Sequence, residues 1–308
     1  MRFLFSAILA SSILIACNQS ETSKPVKSEN IQAETSSNSL ASYPIKKHFQ
    51  CLPESAAILA AHRGTAKQKR LSENSKDGLL ALINHGILIA EIDVAQTKDR
   101  VHFLYHDGVW EEDSTGRGVI AATQWSDAQK YLLNDTEGKL TSQTPISLDD
   151  YLQIAQDKIY LEIDFKSSSN YRDVIKMIRN YDMSDKVILI AYSNGQAEQL
   201  SRLAPEMMIS MSVRGNNDIE NYKSGGIKTE NIAAWTGRDG PNKTLSQLLK
   251  TNNIPILTYP SKDKAKSLIK LADLIVTDYA LDQEPIIGVY NKAEYLSCLN
   301  TNSKETDL

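Results

Sequence analysis

From about residue 55 onward, short apolar runs alternate with stretches whose apolar positions recur every three or four residues. The runs cover residues 56–61, 87–94, 101–105, 159–165, 187–192, 207–213, 232–235, 254–259 and 274–277. Several are apolar at nearly every position, the pattern of parallel strands buried on both faces. Between them, Asn74 or Ser75 is placed to cap a helix carrying Leu79, Leu80, Leu82 and Ile83, which Gly86 ends. Ser147 precedes a helix over 148–155, and 171–181, 196–203, 245–249 and 262–271 follow the same logic. Repeated β–α units over about 250 residues predict an α/β protein, a single-domain TIM (β/α)₈ barrel. A doubly wound parallel sheet is the alternative. Nine runs compete for eight places, and 232–235 is the weakest, assigned here to a short extra strand after the sixth. Between Val94 and Val101 there is no room for a crossover helix. The polar, glycine-containing stretch 108–146 reads as an insertion after the third strand.

The pattern is different before residue 50. Met1-Arg2 and an apolar run to Ala16 describe a secretory signal, too short to span a bilayer as a helix. The run ends Leu14-Ile15-Ala16-Cys17, which resembles the processing site of bacterial lipoproteins, where the cysteine receives the lipid. Residues 18 to about 44 are rich in Ser, Thr, Asn and Glu and have little to bury, so they are expected to form a flexible tether reaching on the order of 30 Å. The resulting map is a signal peptide over 1–16, the lipidated Cys17 and tether over 17–50, the barrel over 51–300 and a disordered tail over 301–308. It implies an exported lipoprotein of the cell envelope, held to a membrane by its N-terminal lipid. Asn18 after the lipid site resembles the sorting pattern of the outer membrane, facing the periplasm.

Composition narrows the chemistry. The formal charge is −4 with 23% charged residues, so there is no basic excess for nucleic acid. Three cysteines without a CxxC pair exclude a disulfide scaffold and a thiolate zinc site. With Cys17 set aside, a Cys51–Cys298 bridge suits an exported protein, the alternative being two buried free thiols. No GxSxG elbow, Walker loop or GxGxxG is present.

The informative polar residues end strands. The first strand runs into Ala61-His62-Arg63-Gly64, the second holds Glu91-Ile92-Asp93, the third runs into His106-Asp107, and the fourth reads Glu162-Ile163-Asp164-Phe165-Lys166. In a parallel barrel such ends meet at one mouth. Alternation sends Glu91 and Asp93 to one face, and likewise Glu162, Asp164 and Lys166. Converging carboxylates repel unless a cation intervenes, and all-oxygen donors at Glu91, Asp93 and Asp164 favour a hard divalent ion, Mg²⁺ or Ca²⁺. His62 and His106 suit a general acid and base, while Arg63 and Lys166 supply the fixed positive charge that binds a phosphate. His48, His85 and His102 read as structural. Trp110, Trp125 and Trp235 read as packing residues, Trp110 having the best chance of lining the mouth.

The segments AHRGT, SENS, EIDVAQTKDRVHFLYHD, DSTGRGVI, TPISLDDYL, YLEIDFK and ADLIVTDYA together resemble the glycerophosphodiester phosphodiesterase family, related to the phosphatidylinositol-specific phospholipase C barrels. The resemblance spans about residues 55–285. It implies a TIM barrel that uses a divalent metal to hydrolyse glycerophosphodiesters to glycerol 3-phosphate and an alcohol. Position by position it implies His62 and His106 as acid and base, Glu91 and Asp93 as metal ligands, and Arg63 as a phosphate contact. Asp164, two residues before Lys166, takes the place of the third ligand, usually a Glu, with Glu162 as the alternative. Glu73 matches a group that supports the ligands. Leu257-Thr258 stands where the family commonly has Trp-Thr. A phospholipase or sphingomyelinase-type activity on intact lipids, and a non-catalytic phosphodiester-binding lipoprotein, are the rival functions.

Overall fold

The computed structural model describes residues 40–65 and 67–301. The signal segment, Cys17 and the tether up to residue 39 lie outside the described residues, as does the tail from 302. In chain order the elements are α1 (Ile45–Cys51), β1 (Ala56–Ala61), α2 (Lys76–His85), β2 (Ile89–Gln96), β3 (His102–Leu104), α3 (Trp125–Ala128) and α4 (Leu148–Ala155). There follow β4 (Tyr160–Phe165), α5 (Tyr171–Asn180), β5 (Val187–Ile190), α6 (Asn194–Leu203), β6 (Met208–Ser212), α7 (Asn216–Ser224), β7 (Ile232–Trp235) and α8 (Lys243–Thr251). The chain closes with β8 (Ile256–Thr258), α9 (Lys262–Leu268), β9 (Leu274–Thr277), β10 (Ile286–Gly288) and α10 (Lys292–Asn300).

Among the described residues eight strands, β1, β2 and β4 to β9, pair in parallel, and β1 bonds to both β2 and β9. That double pairing closes a (β/α)₈ barrel. Alternation along each strand explains why the runs are apolar throughout. Ala57, Leu59 and Ala61 of β1 pack outward against the helices, whereas Ile58 and Ala60 join Ile89, Tyr160, Ile188 and Met208 inside. At the helix ends, the Ser75 side chain accepts from Gly78 N–H, Ser147 accepts from Asp150 N–H, and Gly86 takes the left-handed conformation at φ +77°.

Two strand assignments change. The 101–105 run is no barrel strand: β3 runs antiparallel to β2, with Gln96 opposite His102 and Val94 opposite Leu104. Its short connection folds into a turn in which Thr97 N–H donates to the Val101 carbonyl and Arg100 adopts φ +67°. The missing crossover noted in the sequence is the physical reason, because a parallel neighbour needs a dozen or more residues to return. The vacated place belongs to 232–235, which pairs in parallel with β6 and β8 as β7. Its two alanines carry little strand propensity, but Ala233 faces the interior and Ala234 the helices, so packing decides. The insertion folds around its own small core of Phe103, Tyr105, Trp110, Ile120 and Leu133.

The N-terminal side of the barrel also differs from expectation. Residues 40–50, assigned to the tether, are part of the fold: α1 covers the interior with Ile45 and His48 each 1% exposed. The His48 ring bonds Tyr295 OH, Tyr160 OH and the Leu40 carbonyl. Cys51 at the end of α1 is joined by a disulfide to Cys298 of α10, with a Cα–Cα distance of 5.7 Å. Polar neighbours masked the apolar spacing of Ile45 and Phe49. No described helix is long and apolar enough to cross a membrane.

Candidate active site

Register sets the layering of the mouth. Ile89, Glu91 and Asp93 of β2 lie opposite Tyr160, Glu162 and Asp164 of β4, so one apolar rung is followed by two acidic ones toward the C-terminal rim. Glu91 is 6% exposed, Asp93 1% and Asp164 6%, and one oxygen from each lies within 4.8 Å of the other two. Glu162 sits a rung deeper, beside Glu91, and is not in that group. Burial pushes Glu162 up to about 7, against a hydrogen bond from Ser210. Burial, reinforced by Asp93, Glu162 and Asp164, lifts Glu91 well above the usual carboxylate range.

The remaining bonds fix each acid. Lys166 Nζ lies 2.6 Å from Asp93 Oδ1 and 2.8 Å from Asp164 Oδ2, and Tyr192 OH donates to the same Asp164 oxygen at 2.9 Å. Burial would lower the Lys166 pKa, but Asp93 and Asp164 outweigh it and hold the ammonium charged. Asn74 grips Asp93 twice, its amide donating to Oδ2 at 2.7 Å and its carbonyl accepting the Asp93 N–H at 3.0 Å. Arg63 N–H donates to Glu91 Oε2 at 2.8 Å from a backbone at φ +49°. Asp164 Oδ1 is buried and has no hydrogen-bond partner among the described residues. An orphaned carboxylate oxygen inside a cluster of three acids fits a hard cation held by Glu91, Asp93 and Asp164, which would satisfy it and relieve the repulsion.

The two imidazoles reach this cluster by different routes. His62 follows β1 directly, and its N–H donates to the Thr277 carbonyl at the end of β9. His106 arrives on the returning arm of the β2–β3 hairpin, just past Tyr105, whose N–H donates to the Asp93 carbonyl at 3.1 Å. Asp278 Oδ1 lies 2.8 Å from His62 Nδ1 and, as a carboxylate, can only accept, so Nδ1 carries the proton. Its Nε2 then faces the site, 4.0 Å from Glu91 Oε2. Tyr259 OH donates to Asp278 Oδ1 at 2.6 Å, and Lys67 pairs with its other oxygen. Burial would raise Asp278, but the bonds from His62, Lys67 and Tyr259 prevail and hold it below the usual range. The Arg63 guanidinium donates to His106 Nε2 at 2.8 Å, while His106 Nδ1 donates to Asp107 at 2.9 Å. Arg63 is itself clamped by Glu73, whose two oxygens are 3.0 and 3.2 Å from Nη1. Burial lifts Glu73 to about 7 despite that arginine.

All eight side chains singled out in the sequence as catalytic, phosphate-contacting, supporting or metal-binding meet here: six line one cavity of about 350 Å³, and Lys166 is bonded to Asp93 and Asp164 of that lining. Glu73 stands behind Arg63. The sequence reading missed Asn74, Asp278 and Tyr259. Asp278 ends the last barrel strand, so the rule that singled out the other strand-end acids would have found it. Asn74 and Tyr259 carry no such signal. The tryptophan at the cavity is Trp235, whereas Trp110 is 0% exposed and stacks on Phe103 within the insertion.

Comparison with known proteins agrees with this arrangement. No curated protein sequence is significantly similar to the chain. A glycerophosphoryl diester phosphodiesterase of Parabacteroides distasonis, 21% identical, superposes with a TM-score of 0.68 over 84% of this chain and 94% of its own. A phosphodiesterase of Oleispira antarctica, solved with its product sn-glycerol-3-phosphate, is 15% identical with a TM-score of 0.60, covering 76% of this chain and 96% of that one. A second Parabacteroides distasonis glycerophosphodiester phosphodiesterase is 19% identical with a TM-score of 0.53, covering 73% and 94%. At these identities the likeness speaks to the fold. The sequence model of one family, the glycerophosphoryl diester phosphodiesterases, matches residues 62–215, from the first imidazole through β6. That match takes in half of the 308 residues, both histidines and the three clustered acids Glu91, Asp93 and Asp164, and the chain belongs to the glycerophosphoryl diester phosphodiesterase family.

Proposed function

We propose that the protein hydrolyses glycerophosphodiesters to glycerol 3-phosphate and an alcohol, in a reaction that needs a divalent cation and uses His62 as base and His106 as acid. The observation that carries this reading is the meeting of two oriented imidazoles with three buried acids, one of which keeps an unpartnered oxygen. The product bound to the Oleispira antarctica protein supports the choice of substrate class.

Glu91, Asp93 and Asp164 would hold the ion, which supplies charge to a phosphoryl oxygen and makes a neighbouring hydroxyl more acidic. The rest is the work of the chain's own side chains. His62 Nε2 takes the proton of the glycerol hydroxyl next to the phosphoester, and Asp278 stabilises the imidazolium that forms. The glycerol oxygen bonds to phosphorus as the bond to the alcohol breaks, and His106, having bound a proton from solvent at Nε2 in place of the Arg63 hydrogen bond, delivers it to the departing oxygen. Water then opens the cyclic diester with the two roles exchanged. Lys166 spends two of its three donors on Asp93 and Asp164, leaving one for a phosphoryl oxygen, and Arg63 adds a second fixed charge. His62 is assigned as base because its Nε2 adjoins the acids that would hold the ion, whereas His106 Nε2 is turned to Arg63 and away from them.

Enzymatic detection of glycerol 3-phosphate from a panel of soluble glycerophosphodiesters tests the reading. Release is expected to stop on chelation and return when Mg²⁺ or Ca²⁺ is restored. Equal release in chelator would defeat the metal assignment, and activity confined to lipid vesicles would favour the rival reading. For the N-terminus, the Cys17 motif supports export and lipid attachment at the cell envelope.

A further inference from the structure

The acid and base side chains occupy one arc of the cavity, on β1, β2, β4 and the hairpin. The rest of the wall, on β5 to β8 and the loops after them, presents Tyr192, Ser212, Trp235, Arg238 and Tyr259, and meets the catalytic arc where Tyr259 packs on His62 and Tyr192 bonds Asp164. The cavity's cations are not alike. Arg63 and Lys166 are both engaged by carboxylates. Arg238, in the loop after β7, has no carboxylate partner among the described residues, and its neighbour Asp239 pairs instead with Lys264 at 2.7 Å. What holds Arg238 is the face of the Tyr259 ring, 4.5 Å from its guanidinium carbon. The same ring packs against the imidazole of His62 at a centroid distance of 4.6 Å. A guanidinium held over an aromatic ring and not engaged by a carboxylate keeps N–H donors for an oxyanion.

We propose that Arg238 forms a subsite for an anionic group on the alcohol half of the substrate, a carboxylate or a second phosphate. This rests on the phosphodiesterase reading above and names the substrate class within it. The glycerol 3-phosphate half is common to every such substrate and carries no second charge, so an anionic partner for Arg238 belongs to the alcohol. A choline-like alcohol brings a cation to the same arc and is disfavoured. A volume of about 350 Å³ suits the two small halves of a deacylated diester.

The test compares bis(glycerophospho)glycerol, whose alcohol half carries a phosphate, and glycerophosphoserine, which carries a carboxylate, with glycerophosphocholine. The expected kcat/KM ratio of the favoured anionic compound over the choline compound is about tenfold, the worth of a charge-assisted hydrogen bond. Which of the two leads identifies the anion. Arg238→Gln should bring the ratio near unity, Arg238→Glu should invert it, and Arg238→Lys should retain part of it. A wild-type ratio near unity, or an equal fall for every substrate in Arg238→Gln, overturns the proposal, since Arg238 would then grip nothing or the shared half. Equilibrium binding of the same compounds in chelator answers the question without turnover. If Arg238→Glu leaves the relative affinities unchanged, the proposal fails even in an active enzyme. If they invert while no glycerol 3-phosphate is ever released, the subsite stands and the phosphodiesterase reading falls.

Discussion

Asp164 and Glu162 project into the same barrel from one strand, yet only one rung of difference separates a ligand from a buried acid beneath it. Each keeps an unpartnered buried oxygen, but Asp164 shares the oxygen cluster with Glu91 and Asp93, whereas Glu162 lies outside it and faces Ser210. Asp164→Asn is therefore expected to weaken Mg²⁺ or Ca²⁺ binding by at least about tenfold in calorimetric titration, and Glu162→Gln far less. The reverse order would reassign the third ligand. The imidazoles separate just as sharply. Either His62→Ala or His106→Ala should slow turnover of ordinary diesters by at least about 10²-fold. With a p-nitrophenyl leaving group the acid becomes dispensable, so His106→Ala should recover most activity and His62→Ala should not. Recovery in the His62 variant instead would swap the two roles. The positions of these side chains were legible as strand-end polar residues; their tautomers were not, because they follow from Asp278 and Arg63, which only the fold brings near.

At the scale of elements, the hairpin β2–β3 shows how a short connection shapes a site. It cannot return to start a parallel strand, so it folds back and lowers His106 onto the rim beside Asp93. The sequence pattern puts residue 106 at the end of a third barrel strand, whereas it reaches the same mouth by the opposite direction of travel. Helix α1 carries a different consequence. Burial, with Lys186 nearby, pushes His48 down to about 4, against the pull of the Leu40 carbonyl. Its folded pKa lies below the unfolded value near 6.5, so the unfolded chain binds the proton more readily. The stability contributed by neutral His48 is present in full above about pH 6.5, declines as pH falls and is lost below about 4. The loss is on the order of 3 kcal/mol from that shift. Thermal unfolding between pH 7 and 4.5 should show a shallower fall in midpoint for His48→Gln than for the parent. Parallel curves would mean the ring is already solvated.

For the whole molecule, α1 and α10 close the end of the barrel opposite the mouth and are tied together by Cys51 and Cys298. Leu40, whose carbonyl accepts from Tyr160 OH and bonds the His48 ring, lies at this same end. Metabolic labelling with radioactive palmitate should mark the parent protein and not Cys17→Ser, and the variant should move from the membrane to the soluble fraction. Labelling of both would place the lipid elsewhere.

Alternating apolar runs, their number and their polar ends determined the barrel, the mouth and most of the residues gathered there, because a strand buried on both faces must be apolar along its length and can afford charge only where it meets water. The tertiary structure decided which nine-way candidate was the barrel strand, and it drew residues 40–51 into the core. It alone brought Asp278 to His62, Asn74 to Asp93 and Arg238 to Tyr259. Those pairs join positions separated by as many as 216 residues, and contacts at that distance leave no periodicity in the chain, only a fit in space.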